Sequence, residues 1–386
     1  MLFPEEELKR RISVFKKLLK KNNLSTALVF SPLNLFYFTG TFARGVLLFS
    51  QDEVKFFVNR PFERAKGETP IPCEFLKSLK ELPRFLKNAK KVGIEKRFVQ
   101  NGTFEVYQRV LSEFELVEID FLVLEARMTK SEFEIECIKQ AGRVLDRALK
   151  KALKQFRVGM REVEASAILE KELRLRGHPG LTRSLNEFEL TYGHLVSGKP
   201  GLSPISATTG QGGEGVPGFQ GGASLRKKLS KKEPILIDFG GYFKGYYIDQ
   251  TRMASFSKLK QAEEIFNSAL KVLNRLKQSV KAGISAEEVF FMAERTAEES
   301  GFGEYFMAHG GKLKFIGHGV GLQIDEPPVL ARGQKVSLKE NMVIALEPKF
   351  HVPELGVVGV EETFLVKKDG LQNLNTTPLK WIYLKT

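Results

Sequence analysis

Five side chains of metal-ligand type follow one another in the C-terminal half of this 386-residue chain. Asp238 and Asp249 stand on a Gly-rich hairpin, His318 in Gly-His-Gly-Val-Gly, Glu347 in Leu-Glu-Pro, and Glu361 in Val-Glu-Glu-Thr. Singly, each has a commonplace reading: an Asp beside Gly shapes a turn, a strand Glu is solvated, and a lone His is structural. Together they form a donor set of four carboxylates and one imidazole, each in an apolar segment punctuated by Gly or Pro. Such a set, built mainly of hard oxygens, suits a bridged pair of divalent cations. Asp238 and Asp249 flank a turn running from Gly240-Gly241 to Gly245, so two antiparallel strands can bring both carboxylates to one pole.

The chain resembles the pita-bread metallopeptidase family, the group of methionine aminopeptidase, aminopeptidase P, prolidase and the metal-free creatinase. The matching stretches are Ile237-Asp238-Phe239-Gly240, Gly245-Tyr246 through Asp249-Gln250-Thr251-Arg252, Gly317-His318-Gly319-Val320-Gly321-Leu322, Asn341-Met342-Val343 through Glu347-Pro348, and Glu361-Glu362-Thr363. The eleven-residue step between the two aspartates and the His-Gly-x-Gly block are the specific parts. The resemblance implies that Asp238 chelates one metal, Asp249 bridges both, His318 and Glu347 bind the other, and Glu361 is the second bridge. Thr251 is then expected to hydrogen-bond a ligand carboxylate. Two divalent ions, of Mn²⁺, Co²⁺, Zn²⁺ or Fe²⁺, would lie about 3.5–4 Å apart and activate a water for amide hydrolysis, with Glu347 in the catalytic set.

The departures from the family pattern concern the substrate side. A second histidine, seven residues after the metal-binding one, is here Asp325, in Leu322-Gln323-Ile324-Asp325-Glu326-Pro327-Pro328. A further histidine expected after a proline upstream of the first aspartate has its nearest counterpart at Pro204-Ile205. Gly359 replaces an arginine two residues before the last glutamate, and His351 replaces a tyrosine four residues after Glu347. Asp325 takes over a catalytic donor role only if protonated; its other reading is a turn or salt-bridge acid. His194, His309 and His351 are the candidate substrate-binding imidazoles, with a structural role open for each.

The elements that must position these groups are legible around them. Pro4, three glutamates, and the stripe Leu8, Ile12, Phe15, Leu19 predict a first helix. Strand-like runs at Thr26–Phe30, Val46–Phe49 and Val54–Val58 then alternate with helical segments to about Val117, as in a small α/β domain. This part is similar to the creatinase-type N-terminal domain, through Ser31-Pro32-Leu33-Asn34 and Tyr37-Phe38-Thr39-Gly40. Ser131 and Glu134 make a capping box opening a long helix to about Phe156; Gly159 breaks it, and a second helix runs from about Arg161 to Arg176. His178 reads as a loop histidine, and Thr191 to Gly222 as a long Gly/Ser/Pro-rich loop over the site. The expected architecture is α/β (α+β), with a creatinase-like domain over residues 1–125 and a pita-bread catalytic domain over 130–386.

Composition bounds the rest. The net charge of +14 is spread along lysine-rich runs without interleaved aromatics, which argues against nucleic acid. No stretch approaches the ~20 apolar residues of a membrane span, and the first residues lack a signal-peptide layout. Two distant cysteines, Cys73 and Cys137, fit a reduced, cytoplasmic protein. The expected function is a metallo-aminopeptidase cleaving Xaa-Pro bonds of peptides or dipeptides, acting as a homodimer. The alternatives are a hydrolase of a different amide and a catalytically weakened peptide-binding homologue.

Overall fold

The computed structural model describes residues 2–86, 89–185, 191–205, 209–219, 221–308 and 310–385. The chain divides into two compact units, Met1–Arg127 and Met128–Thr386. No helix among the described residues is long and apolar enough to cross a membrane.

The first unit is built on a six-stranded mixed sheet. Its order is Cys73–Phe75, Val54–Arg60, Arg44–Phe49, Ala27–Val29, Lys91–Ile94, Glu115–Glu118. The helix Glu5–Lys21 starts just after Pro4 with three glutamates in its first turn, where they complement the helix dipole. Its buried stripe holds Leu8, Phe15 and Leu19, but also Arg11, which the apolar pattern does not foretell. Arg11 is buried because every part of its head is engaged. Its guanidinium donates to Glu7 Oε1 (2.6 Å) and to the Tyr37 carbonyl (2.7 Å), and lies 4.5 Å from the ring centroids of both Phe3 and Tyr37.

The second unit opens with the helix Glu132–Leu153. Ser131 Oγ accepts from the Glu134 N–H, and the Glu134 carboxylate accepts from the Ser131 N–H, so both halves of the capping box form. The helix Glu162–Arg174 follows. A strongly extended sheet then runs in the order Glu326–Ala331, Phe315–Gly319, Val343–Leu346, Glu361–Val366, Gln250–Ser255, Ile235–Phe239, Gly193–Ser197. Consecutive neighbours on this path are antiparallel. The helices Lys260–Ser279 and Ala286–Glu298 supply Ile265, Phe266, Ala269, Val272, Val289 and Phe290 to one core with Leu236, Met253, Ile344, Leu346 and Phe364. That core fixes the strands whose ends carry the chemistry.

One sequence expectation needs correction here. The segment Thr191–Gly222, read as loop from its Gly, Ser and Pro content, contains the edge strand Gly193–Ser197, which pairs with Ile235–Phe239. Its core, His194-Leu195-Val196, is too short for its alternation to stand out between flanking glycines.

Candidate metal centre

The strand register assembles the site. Cross-strand partners share a face of a sheet, and one row of partners reads His194, Asp238, Thr251, Glu361 across four adjacent strands. Glu347 follows the strand Val343–Leu346, whose Leu346 is paired with Glu362, and so comes level with Glu361. His318 lies opposite Ala345 on the same strand. The glycines around His318 are what let its strand fit. A Cβ on Gly317 would lie 2.0 Å from the Ala345 carbonyl oxygen, and one on Gly319 2.3 Å from that of Pro327. Any side chain at either place would push the neighbouring strands away.

The five expected ligands converge. His318 Nε2 lies 3.6 Å from Glu347 Oε1, 3.8 Å from Glu361 Oε1 and 4.0 Å from Asp249 Oδ2. Ligand atoms of Asp249, His318 and Glu361 all lie within 4.8 Å of one another. His318 Nδ1 is 3.2 Å from the Gly319 carbonyl, an acceptor, so Nδ1 carries a proton, and Nε2 is the ring atom turned to the carboxylates, the one that would bind a cation. Glu361 Oε1 is buried with no hydrogen-bond partner among the described residues, an acceptor that a cation would satisfy. Thr251 Oγ1 donates to the other oxygen, Glu361 Oε2 (3.0 Å), and the Gln250 N–H donates to Asp249 Oδ1 (2.9 Å), leaving Asp249 Oδ2 turned to the site. Thr363 Oγ1 and Asn375 clamp the Asp249 backbone from behind.

The electrostatics call for positive charge. Burial, then Asp238 and Glu347, push Asp249 well above the usual carboxylate range, and burial with Asp249 does the same to Glu361. Burial opposes charging His318, but Glu347, Glu361 and Asp325 outweigh it and raise its pKa. A divalent cation against His318 Nε2 would relieve this crowding and let the carboxylates ionise together. The donor set therefore fits such an ion.

Two residues that the sequence reading passed over complete the centre. Lys349 is buried with its Nζ 2.8 Å from Glu347 Oε2, 2.9 Å from Asp238 Oδ2, 3.4 Å from Glu361 Oε2 and 2.7 Å from Gln211 Oε1. Burial works against its charge, yet Asp238, Glu347 and Glu361 hold its pKa well above the ordinary lysine value. Gln211 Nε2 donates to Asp238 Oδ2 (2.6 Å) and to His194 Nδ1 (3.0 Å). Because the ammonium donates to the amide oxygen, the amide nitrogen must face His194, which places the His194 proton on Nε2. The signal for Lys349 was its position: a lysine inside the apolar strand Lys349-Phe350-His351-Val352, two residues after a ligand glutamate and opposite a glycine. Gln211, in a Gly-rich loop, carried no comparable signal.

The substrate-side candidates fare differently. His194 lines the cavity, of about 110 Å³, together with Asp238, Asp249, His318, Asp325, Glu347 and Glu361. Asp325 Oδ2 accepts from Ser184 Oγ and Oδ1 from the Leu185 N–H, both at 2.8 Å. Its carboxylate anchors the Ser184–Leu185 segment, which accords with the turn-acid reading given beside the catalytic one. His351 is buried between backbone groups, its Nδ1 accepting from the Ala308 N–H (3.1 Å) and its Nε2 donating to the Gly210 carbonyl (2.8 Å). It braces the Gly210 loop, the structural role left open for it. His309 lies outside the described residues.

The comparisons agree with this geometry. Residues 136–368 match metallopeptidase family M24, and residues 11–129 match the creatinase/prolidase N-terminal domain. The chain belongs to metallopeptidase family M24, a membership that implies divalent metal ions. Among its relatives is a Xaa-Pro dipeptidase of Pyrococcus furiosus, 28% identical over 374 residues, covering 96% of this chain and 99% of the relative. Among solved structures, an X-Pro aminopeptidase of Thermotoga maritima matches with TM-score 0.81 at 25% identity, over 95% of this chain and 100% of that one. The prolidase of Pyrococcus horikoshii matches with TM-score 0.80 at 27% identity, over 97% and 99%.

Proposed function

We propose that the protein is a metal-dependent peptidase of the Xaa-Pro type, hydrolysing the bond before proline in peptides or dipeptides. The observation that carries this is the convergence of Asp238, Asp249, His318, Glu347 and Glu361 at one cavity, in a fold shared with peptidases of that specificity. Asp249, His318, Glu347 and Glu361 would hold a divalent ion, with Mn²⁺, Co²⁺, Zn²⁺ and Fe²⁺ all suited to the donor set. Such an ion polarises a peptide carbonyl and lowers the pKa of water.

The chain's own residues do the rest. The relay from Lys349 through Gln211 fixes His194 as an Nε2–H donor at the cavity wall, where it hydrogen-bonds the substrate carbonyl and its developing charge. The Oε1 atoms of Glu347 and Glu361 face His318, and Glu347 is placed to take a proton from the attacking water. Asp325 holds the Ser184–Leu185 segment against the cavity and shapes its mouth. A cytoplasmic homodimer completes the proposal, from the reduced cysteines and the habit of related enzymes.

The test is a hydrolysis screen of Xaa-Pro dipeptides, longer Xaa-Pro peptides and non-proline amides, each with one added ion at a time. Cleavage confined to bonds before proline supports the reading. Faster cleavage of a non-proline amide with every ion would overturn it.

A further inference from the structure

Although the sequence spacing suits two metal ions, we infer that the Lys349 ammonium takes one of those two positions, so that the centre admits a single divalent ion, on its His318 side. The carboxylates are divided between two lobes. Glu347 and Glu361 each turn Oε1 toward His318 Nε2, at 3.6 and 3.8 Å, and Oε2 toward Lys349 Nζ, at 2.8 and 3.4 Å. Asp249 Oδ2 belongs to the His318 lobe and Asp238 Oδ2 to the lysine lobe. This is the layout of a dinuclear centre with two bridging groups, in which one of the cations is covalently part of the chain.

The ammonium occupies the place a second ion would need. A divalent metal needs carboxylate oxygens at roughly 2.0–2.2 Å, and the oxygens it would use already hold an ammonium at 2.8–2.9 Å. Charge alone does not choose between the two counts, since one divalent ion leaves the four carboxylates and the ammonium one charge short of neutral and a second leaves them one charge past it; the occupied oxygens decide. The ammonium has no easy exit, because the Lys349 side chain is only 1% exposed.

The surrounding backbone is cut to admit this side chain. Gly359 is the cross-strand partner of Lys349, and a Cβ there would lie 2.6 Å from Lys349 Cγ. Gly210 lies on the opposite wall, where a Cβ would come within 2.6 Å of Lys349 Cδ and 2.9 Å of Nζ. Gly359 is also where the family resemblance leads one to expect an arginine. The absence of that side chain and the presence of the lysine are two halves of one rearrangement. Lys349 is in this sense a positioning residue: it fixes Asp238, Glu347, Glu361 and the Gln211–His194 relay without an ion on that side.

The inference rests on the metallopeptidase reading for the kind of guest, and metal counting separates the two. The full chain is stripped with chelator, equilibrated with excess Mn²⁺, desalted, and measured by elemental analysis and electron paramagnetic resonance. One Mn²⁺ per chain with an uncoupled six-line spectrum is expected, and Lys349→Met should raise the count to two with a spin-coupled signal. Two coupled ions in the unmodified protein would overturn the inference and leave the peptidase reading standing. A single ion in folded Lys349→Met would also overturn it, because the ammonium would not be what excludes the second. Should Lys349→Met fail to fold, the count on the unmodified protein decides. No bound Mn²⁺ at all would remove both readings.

Discussion

His178 should make the catalytic unit acid-sensitive in a way that one substitution removes. Its ring is 1% exposed, stacks on Tyr192 at 4.6 Å and meets Tyr242 and Tyr247 edge-on. The Gly180 N–H donates to Nδ1 (3.1 Å), so the proton of the neutral ring sits on Nε2, which is buried without a hydrogen-bond partner among the described residues. A second proton would have to enter at Nδ1, facing that N–H. Burial, helped by Arg174, pushes its pKa down to about 4. An unfolded histidine titrates near 6.5, so between these values the unfolded chain binds a proton that the folded chain refuses. Stability from this group is therefore complete above pH 6.5 and is lost as pH falls toward 4. The loss works out to about 2 kcal/mol at pH 5 by linkage. His178→Phe keeps the ring stack and gives up the acceptor for Gly180, a cost of about 1 kcal/mol at neutral pH. The variant should thus be slightly less stable than the parent at pH 7.5 and more stable at pH 5. Urea unfolding followed by fluorescence reports the right unit, because Trp381 is the only tryptophan and packs there on Phe266. A parent–variant difference that stays the same from pH 7.5 to pH 5 would refute the reasoning.

Three further outcomes are expected. Arg252, fully buried, donates to the Thr251, Glu361 and Thr377 carbonyls and pairs with Glu362, so Arg252→Met should cost about 3–5 kcal/mol in thermal or urea unfolding. The Arg252→Met, Glu362→Leu double variant should recover part of that loss. Asp249→Ala should abolish Mn²⁺ retention in desalted protein while leaving the far-ultraviolet circular dichroism unchanged. Asp325→Ala frees the Ser184–Leu185 segment from its acceptor and should raise KM on the order of tenfold, with Mn²⁺ stoichiometry unchanged.

Much of the centre was legible because its residues obey local rules. The Ser131–Glu134 capping box and the glycines around His318 are short-range signatures, and each stands in the structure where the sequence put it. The Asp238-to-Asp249 hairpin was legible in part: the flanking strands pair antiparallel as read, but Gly241–Phe243, read as turn, is a short strand that pairs with Tyr246–Ile248. Long-range substitutions were not legible in this way. Lys349 looks like one more lysine in a lysine-rich chain until the strand register sets it against Gly359 and the fold wraps Gly210 over it. Asp325 and His351 kept two readings each for a related reason. Both stand at positions where relatives carry substrate-facing groups, but here their partners are backbone groups and a hydroxyl that the sequence does not place beside them. Arg11 inside an apolar helix stripe belongs with them, since the Tyr37 carbonyl and two ring faces, which join Glu7 in explaining its burial, lie far along the chain or outside the helix.

The most direct measurement is the rate of alanyl-proline hydrolysis against alanyl-alanine, in chelator-stripped protein and after reloading with Mn²⁺, Co²⁺, Zn²⁺ or Fe²⁺ separately. The structure predicts no hydrolysis of either dipeptide without metal, and hydrolysis of alanyl-proline far above alanyl-alanine with at least one ion. Turnover that persists after metal removal, or no cleavage before proline with any of the four ions, would contradict it.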